Sequence, residues 1–148
     1  MARMIFVNLP VTDLAKSKAF YEGVGAVNEP KFTNDLAAAM VFSESIFVML
    51  LTHAHWKTFT SKPIVDAHAN AQVMLCLSAE SREAVDAQIE AAVKAGGKGD
   101  PNPTQDYGVM YGRSIADPDG HIWEIMWMDA AAAERGAEAV SEAIATAV

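Results

Sequence analysis

The stretch from Asp117 to Asp129, DPDGHIWEIMWMD, decides how the rest of the sequence is interpreted. Its first four residues have the types of a type I turn, with aspartate first, proline second and glycine fourth. The residues from His121 to Met128 predict a strand that is large and apolar on both faces, with Glu124 inside it. Because a carboxylate in such a strand is costly to bury without a partner, Glu124 is the first functional candidate.

Composition limits the classes of protein that this sequence can encode. The 148 residues, 51% of them apolar, suffice for one domain or for two fused half-domains with a common core. A net charge of -8 argues against a nucleic-acid partner. The single cysteine, Cys76, fits a reducing cytoplasm, and neither a signal peptide nor a membrane-spanning run is visible. The sequence therefore predicts a cytoplasmic protein without nucleic-acid or membrane partners.

Secondary-structure patterns divide the chain into two similar halves. The first half predicts a strand, a helix with Asp13 as its N-cap, and three strands; the strands fall at Met4–Leu9, Val27–Phe32, Ala37–Phe42 and Ile46–Thr52. The second half predicts the same order with Ser81 as the N-cap; its strands fall at Ala71–Leu77, around Lys98, and at Val109–Ala116 and His121–Met128. This is an internal repeat of a strand–helix–three-strand unit.

The boundaries of these units follow from composition. We expect a first βαβββ module at 1–52, a linker or mobile loop at 53–70, and a second module at 71–129. The remaining residues, 130–148, are rich in alanine and predict a helical tail that Gly136 interrupts.

A repeated βαβββ unit that ends in DPDGHIWE resembles the vicinal oxygen chelate superfamily, which includes glyoxalase-type lyases, extradiol dioxygenases and bleomycin-resistance binding proteins. The stretch VTDLAKSKAFYEGVGA is similar to the first strand-to-helix junction of that family, and DPDGHIWEIMW to its last hairpin. FVNLPVTD, FVMLLTH and DYGVMYGRSIADPDGHIWEIMWMD are most similar to a branch labelled predicted lactoylglutathione lyase. The resemblance implies an α+β fold, with two βαβββ repeats forming a curled mixed sheet plus an Ala-rich C-terminal helix. It also implies a homodimer.

Metal-dependent members of the superfamily place ligands on inward-facing positions of four strands. By resemblance these positions fall at Phe6, Met49, Gln72 and Glu124, of which only Gln72 and Glu124 could bind a metal. One carboxylate and one neutral amide make a poor metal site, because a catalytic ion normally takes at least three protein ligands. We therefore expect either a weakly bound divalent metal at Gln72 and Glu124 or no metal cofactor.

The resemblance also implies a cup-shaped ligand pocket. Its inner surface would be apolar and rich in sulfur, with a few polar groups; the residues are Phe6, Asn8, Met49, Gln72, Met74, Cys76, Glu124 and Met126. Tyr111 and Arg113 would lie at its mouth, where Arg113 either recognises an anionic ligand or is an ordinary surface residue.

Other readings of individual residues stay open. Glu124 is either functional or a structural carboxylate bound to Gln72, Asn8 or Arg113. Some candidates are more simply structural; His53 and His55 would be solvated, His121 would pack on the outer face, and Cys76, Trp123 and Trp127 would be core residues.

Two functions are compatible with these features. In the first, Glu124 acts as base or ligand in a lyase or isomerase reaction on a small carbonyl or thiol-adduct substrate. In the second, the cup is a metal-free binding site that sequesters a hydrophobic or aromatic small molecule. An extradiol dioxygenase is disfavoured, because no His pair is suitably placed for its 2-His-1-carboxylate iron site.

Overall fold

The computed structural model describes residues 2–147 and contains two modules of the same strand–helix–strand order. The first module comprises β1 (Ile5–Val11), α1 (Leu14–Gly23), β2 (Val27–Glu29), β3 (Ala37–Val41) and β4 (Ile46–Thr52). A linker containing α2 (His53–Trp56) leads to the second module; it comprises β5 (Leu75–Ser78), α3 (Arg82–Lys94), β6 (Lys98–Gly99), β7 (Gln105–Asp106), β8 (Met110–Ala116) and β9 (Ile122–Met128). The tail forms α4 (Ala130–Arg135) and α5 (Ala137–Thr146). The predicted α+β fold is confirmed.

Each module contributes one mixed sheet. Sheet A has the strand order β1-β4-β3-β2; sheet B has the order β5-β9-β8-β6, with β7 also paired to β8. In both sheets the first strand of the module pairs parallel with the last, and the other pairs are antiparallel. One face of each sheet packs into a common core with α1 and α3; its largest members are Leu9, Phe20, Tyr21, Met40, Leu50, Ile89, Trp123 and Ile125. The opposite face of each sheet is therefore left open to ligands.

Both predicted N-caps are confirmed. The Asp13 carboxylate accepts a hydrogen bond from the Lys16 amide at 3.0 Å, and the Ser81 hydroxyl accepts one from the Ala84 amide at 3.0 Å. None of the helices in residues 2–147 combines the length and the apolar character that a bilayer-spanning segment needs.

The strand predicted at Ala71–Leu77 is shorter than expected, because β5 begins only at Leu75. Leu75 pairs with Trp123 on β9, and β9 itself begins at Ile122. His121, just before β9, is hydrogen-bonded through its amide and its carbonyl to Asp117. Continuing this register places residues 71–73 opposite 119–121, which form the turn before β9, so these three residues have no strand to pair with; 71–74 belong to the linker.

The linker lies directly against the turn that precedes β9. Gly120 in this turn has φ +96°, and a Cβ at this position would lie 2.6 Å from the His68 nitrogen and 2.8 Å from the Ala67 carbonyl carbon. Only glycine tolerates both the backbone conformation and this close approach. The linker is thus packed onto the second module rather than free of it.

The same turn fastens the second module to the first, and we call this set of contacts the intermodule clamp. The Asp119 carboxylate accepts hydrogen bonds from the Thr12 amide at 3.0 Å, from the Thr12 hydroxyl at 2.8 Å and from the Ser17 hydroxyl at 3.3 Å. A ring nitrogen of His121, Nε2, lies 2.9 Å from the Pro10 carbonyl oxygen. The end of β1 and the start of α1 are therefore held by one turn of the other module.

The buried half of the clamp centres on Tyr21. Its hydroxyl donates to the Asp117 carboxylate at 2.7 Å and accepts from the Trp123 indole at 2.9 Å. Tyr21 is 1% exposed and Asp117 is 3% exposed, so both groups depend on these partners. Burial raises the pKa of Asp117, and the nearby His121 and the Tyr21 hydrogen bond oppose that rise.

A second polar cluster, the Arg113 network, joins α3 to β8 on the helix-facing side of sheet B. Arg113 binds Asp100 through two hydrogen bonds, of 3.0 and 2.6 Å, and Asp86 through one of 2.9 Å. The Tyr111 hydroxyl donates to Asp86 at 2.6 Å, and the Arg82 guanidinium lies 4.4 Å from the centre of the Tyr111 ring. Arg113 holds the pKa of Asp100 below its usual value, and Tyr111 and Arg113 together do so for Asp86.

Removing the Tyr21 hydroxyl tests the clamp. In Tyr21→Phe, Asp117 loses its buried donor and the Trp123 indole loses its acceptor, so we expect the free energy of unfolding to fall by about 1–3 kcal/mol. Tyr107→Phe is the matched control, because no described residue hydrogen-bonds to the Tyr107 hydroxyl; its change should stay within about 0.5 kcal/mol. Urea unfolding followed by circular dichroism measures both. Equal changes in the free energy of unfolding in the two variants would contradict a stabilising role of the Tyr21 hydroxyl in the clamp.

The Arg113 network should make stability depend on acid pH. The two lowered aspartate pKa values stabilise the fold above the pKa of about 3.9 that aspartate has in an unfolded chain, and this contribution is lost as the pH falls through the lower folded values. We expect Arg113→Met to lower the thermal midpoint at neutral pH. The difference in thermal midpoint between this variant and wild type should disappear between about pH 4 and pH 2. Arg135→Met, which removes an exposed ion pair in the tail, is the control and should show little change at any pH. A gap for Arg113→Met that is constant down to pH 2 would refute the expectation.

Candidate functional site

The open face of sheet A carries a groove of about 870 Å³, which we call the sheet A groove. Strand register places its floor in two rows across the four strands. The first row consists of Phe6, Phe47, Val41 and Val27, and the second of Asn8, Met49, Ala39 and Glu29. Met4, Asn28 and Phe32 complete the lining. Three predicted pocket residues, Phe6, Asn8 and Met49, are thus brought together here.

Aromatic and apolar side chains dominate this groove. The rings of Phe6 and Phe47 stack at 4.8 Å between centroids with 16° between their planes. Phe6 is 51% exposed, and Val27 and Phe32 are each 68% exposed. A contiguous apolar surface of this kind on a soluble domain is typical of a site that receives a ligand or a partner.

The polar groups of the groove differ in how they are satisfied. The Asn28 amide donates to the Thr33 hydroxyl at 2.8 Å and to the Ala39 carbonyl at 3.2 Å, so it fixes the local backbone. Within residues 2–147, no side-chain hydrogen bond or ion pair engages Asn8 or the carboxylate of Glu29. These two groups remain available to a ligand.

Glu124 lies on the open face of sheet B, outside the sheet A groove. Register places it between Cys76 on β5 and Ser114 on β8, with Met126 two residues further along the same face of β9. Glu124 is half-buried, and Cys76 is exposed on the edge strand. Partial burial and the charge of Glu124 raise the pKa of the Cys76 thiol, which disfavours the thiolate.

The structural alternative for Glu124 was a hydrogen bond from Gln72, Asn8 or Arg113. None of these three donates to its carboxylate, and no other residue among 2–147 does so. Arg113 lies on the opposite face of β8, where its guanidinium donates three hydrogen bonds to Asp86 and Asp100. The carboxylate is therefore free to bind a ligand group or to accept a proton.

Gln72 and Met74 lie before β5 and not on a strand. Gln72 and Asn8 line a smaller cavity of about 270 Å³ between the modules, beneath the linker. Met74 is 57% exposed, with its sulfur 3.3 Å from the Asn102 amide nitrogen. The structure thus places Gln72 at the seam between the modules, while Cys76, Glu124 and Met126 share sheet B.

Tyr111 and Arg113 do not line the open face. Both side chains belong to the Arg113 network on the helix-facing side of β8. The prediction missed this because β8 carries polar residues on both faces, so the alternation of side chains does not reveal which face packs against α3.

The histidines lie at the linker and the seam. His53 and His55 are in α2, where the His55 ring packs edge-on against Phe59. His121 was predicted to pack on the outer face, but it lies in the intermodule clamp against Pro10.

The donor set does not fit a metal ion. Within residues 2–147, no three His, Cys, Asp or Glu side chains are grouped so that they could hold a metal. Of the four positions that the resemblance implies, Phe6 and Met49 offer no hard donor, and Gln72 lies off the strand that carries its expected position. Glu124 alone cannot replace a site of three or more ligands.

Sequence reasoning missed Phe47, Phe32 and Glu29 as groove residues. Phe47 could have been found, because residues two apart on a strand share a face and Phe47 lies two residues before Met49 on β4. Phe32 and Glu29 could not, because their placement depends on the pairing of β2 with β3 and on a 3-10 turn at Pro30–Phe32.

Comparisons with known proteins agree with this architecture. A hypothetical protein from S. aureus shares 26% identity with the chain at a TM-score of 0.71, covering 86% of this chain and 95% of its own. A glyoxalase-related enzyme from Fulvimarina pelagi shares 24% identity at a TM-score of 0.69, with 86% and 88% covered. A genomically encoded fosfomycin resistance protein from Listeria monocytogenes shares 17% identity at a TM-score of 0.61, with 86% and 91% covered. The last two likenesses show a common fold alone.

No protein of curated function matches the sequence. The model of one family does match, over residues 3–125, and so spans both modules. The chain belongs to the glyoxalase/bleomycin resistance protein/dioxygenase superfamily.

Proposed function

We propose that this chain is a metal-independent binding protein that sequesters a hydrophobic or aromatic small molecule in the sheet A groove. The observation that carries the proposal is the stacked, half-exposed pair Phe6 and Phe47 on the floor of an 870 Å³ groove. A volume of this size lies within the range of sites that bind small organic molecules. A flat aromatic ligand could pack against these rings and remove their apolar surface from water.

The composition of the groove favours binding over chemistry. Within residues 2–147, its lining contains no His, Cys, Ser, Thr, Lys or Arg, and Glu29 is the one ionisable residue. General acid–base catalysis needs positioned groups of matched pKa, and nucleophilic catalysis needs a nucleophile beside a base. A pocket with one carboxylate and apolar walls is suited to recognition and retention.

A second candidate function rests on Glu124. Its carboxylate is half-buried and lacks a hydrogen-bond donor within residues 2–147, which leaves it able to act as a base toward a carbon acid next to a carbonyl. This is the glyoxalase-like lyase or isomerase reaction, and the lactoylglutathione lyase assignment belongs to this candidate. It is the weaker one, because residues 2–147 contain no grouped ligands to hold a metal that would stabilise an enediolate.

We also propose a homodimer. Val73 and Met74, beside the edge strand β5, are 61% and 57% exposed, and a second copy could cover them. Sedimentation velocity at micromolar concentration should give twice the mass of the chain. A monomer under these conditions would refute the proposal.

Replacing Phe6 tests the binding function. We expect Phe6→Ala to weaken binding of the neutral dye N-phenyl-1-naphthylamine about tenfold or more, since a lost aromatic contact and its buried area cost about 1.5 kcal/mol. Phe59→Ala is the control, because Phe59 is an exposed aromatic of the linker, at 69% against 51% for Phe6, and does not line the groove. Dye fluorescence titration measures both. Equal affinities of wild type and Phe6→Ala would rule out the groove as the binding site.

Replacing Glu124 separates the two functions. If the chain is a binding protein of this kind, Glu124→Gln keeps wild-type dye affinity, and neither protein retains near-stoichiometric Ni, Zn, Fe or Mn after incubation and desalting. Elemental mass spectrometry measures the metal, and a hemithioacetal assay measures isomerisation. One metal per chain that Glu124→Gln loses, with isomerase activity that falls at least a hundredfold, would establish the enzyme instead.

A further inference from the structure

We infer that the ligand of the sheet A groove is an aromatic cation: a molecule whose ring system packs on Phe6 and Phe47 and whose ammonium or guanidinium group pairs with Glu29. This inference rests on the proposed function and adds to it the charge of the ligand and the residue that selects it. A neutral hydrophobe would satisfy the apolar walls but not the carboxylate.

The first observation is the state of Glu29. It is half-buried at the end of β2, in register with Ala39, and so belongs to the same row of the groove floor as Met49 and Asn8. Its backbone carbonyl accepts a hydrogen bond from Thr33 at 2.8 Å, which holds the backbone in place. No cation within residues 2–147 pairs with its carboxylate. A partly desolvated carboxylate beside apolar walls gains from an incoming cation.

The second observation is the spacing between the carboxylate and the aromatic floor. Glu29 lies two strands from Phe47 and in the neighbouring row, which by ordinary sheet geometry separates their Cα atoms by about 12 Å. Ala39 lies between Glu29 and Met49 and fills little of the intervening space. The glutamate side chain covers part of this distance. A ligand with a fused ring and a linker of a few atoms to its cationic group spans the remainder.

The third observation is the charge of the surroundings. The part of the groove lining that residues 2–147 form contains no basic residue, and the whole chain carries a net charge of -8. Phe32, 68% exposed and three residues after Glu29, also lines the groove, so an aromatic ring is available to a cation bound there. Among the described residues of the lining, an anionic ligand would meet the repulsion of Glu29 and one free side-chain donor, the Asn8 amide.

Three probes that share a naphthalene ring and differ in charge test the inference: 2-(1-naphthyl)ethylamine, 2-(1-naphthyl)ethanol and 1-naphthylacetate. Affinities are measured by calorimetry at pH 7 in about 150 mM salt, so that distant charges are screened. We expect the amine to bind at least tenfold more tightly than the alcohol, and the alcohol more tightly than the acetate. Glu29→Gln should lower the affinity for the amine to that for the alcohol and leave the affinity for the alcohol unchanged. Glu90→Gln, with the same loss of charge on α3 outside the groove, should keep the tenfold preference.

Each other outcome assigns the failure to one idea. If the amine and the alcohol bind equally in wild type, the inference is wrong and the proposed binding function stands. If Glu90→Gln loses the preference as fully as Glu29→Gln does, the selection comes from net charge and not from Glu29, and the inference is again wrong. If none of the three probes binds at millimolar concentration, the inference and the proposed function both fall.

Discussion

The intermodule clamp is the constraint on which the rest of the molecule depends. Each module has one sheet with an apolar face and one helix, and neither could enclose a core of this size alone. The turn before β9 joins them by inserting Asp119 at the junction of β1 and α1 and by pairing Asp117 with Tyr21 beneath it. The Trp123 indole donates a hydrogen bond to the Tyr21 hydroxyl. The buried Tyr21 side chain therefore links the helix of one module to the last strand of the other. The two sequence stretches that resemble the family most, at residues 11–26 and 117–127, are the two sides of this contact.

Side-chain alternation and strand register determine where the sheet A groove lies. Because Leu9 and Val11 face the core next to the clamped junction, strand alternation turns Phe6 and Asn8 to the other side of β1. The parallel pairing of β1 with β4 then sets Phe47 beside Phe6 and Met49 beside Asn8. A shift of one residue in this register would bury the asparagine and expose Leu9. The position of the aromatic floor thus follows from the side-chain alternation of β1 and its register with β4.

Features set by local chemistry could be predicted from the sequence, and features set by contacts between distant segments could not. Asp13 and Ser81 were predicted as caps because a capping side chain needs only the amides that follow it. The strand predicted from Ala71 failed for a non-local reason, since residues 71–73 would lie opposite 119–121, which form the turn before β9. At the candidate site, alternation alone predicted the shared face of Glu124 and Met126. Glu29 could not be predicted as a groove residue, because its place in the groove requires the pairing of β2 with β3 and the turn that follows.

The two open faces differ in a way that bears on function. On sheet A, Ala39 is small and the aromatic row crosses β1 and β4, so the face is hollow and apolar. On sheet B, Glu124 lies between Ser114 and Cys76. The edge strand β5 runs only from Leu75 to Ser78, so on that side a single short strand separates the carboxylate from the sheet edge. An enzyme of the glyoxalase type would need a carboxylate, other ligands and an apolar wall to converge on one substrate. Here the aromatic wall and Glu124 lie on different sheets. Within residues 2–147, no second titratable group lines the groove beside Glu29. A carboxylate in that position can select the charge of a ligand, and it lacks the partner that acid–base chemistry would require.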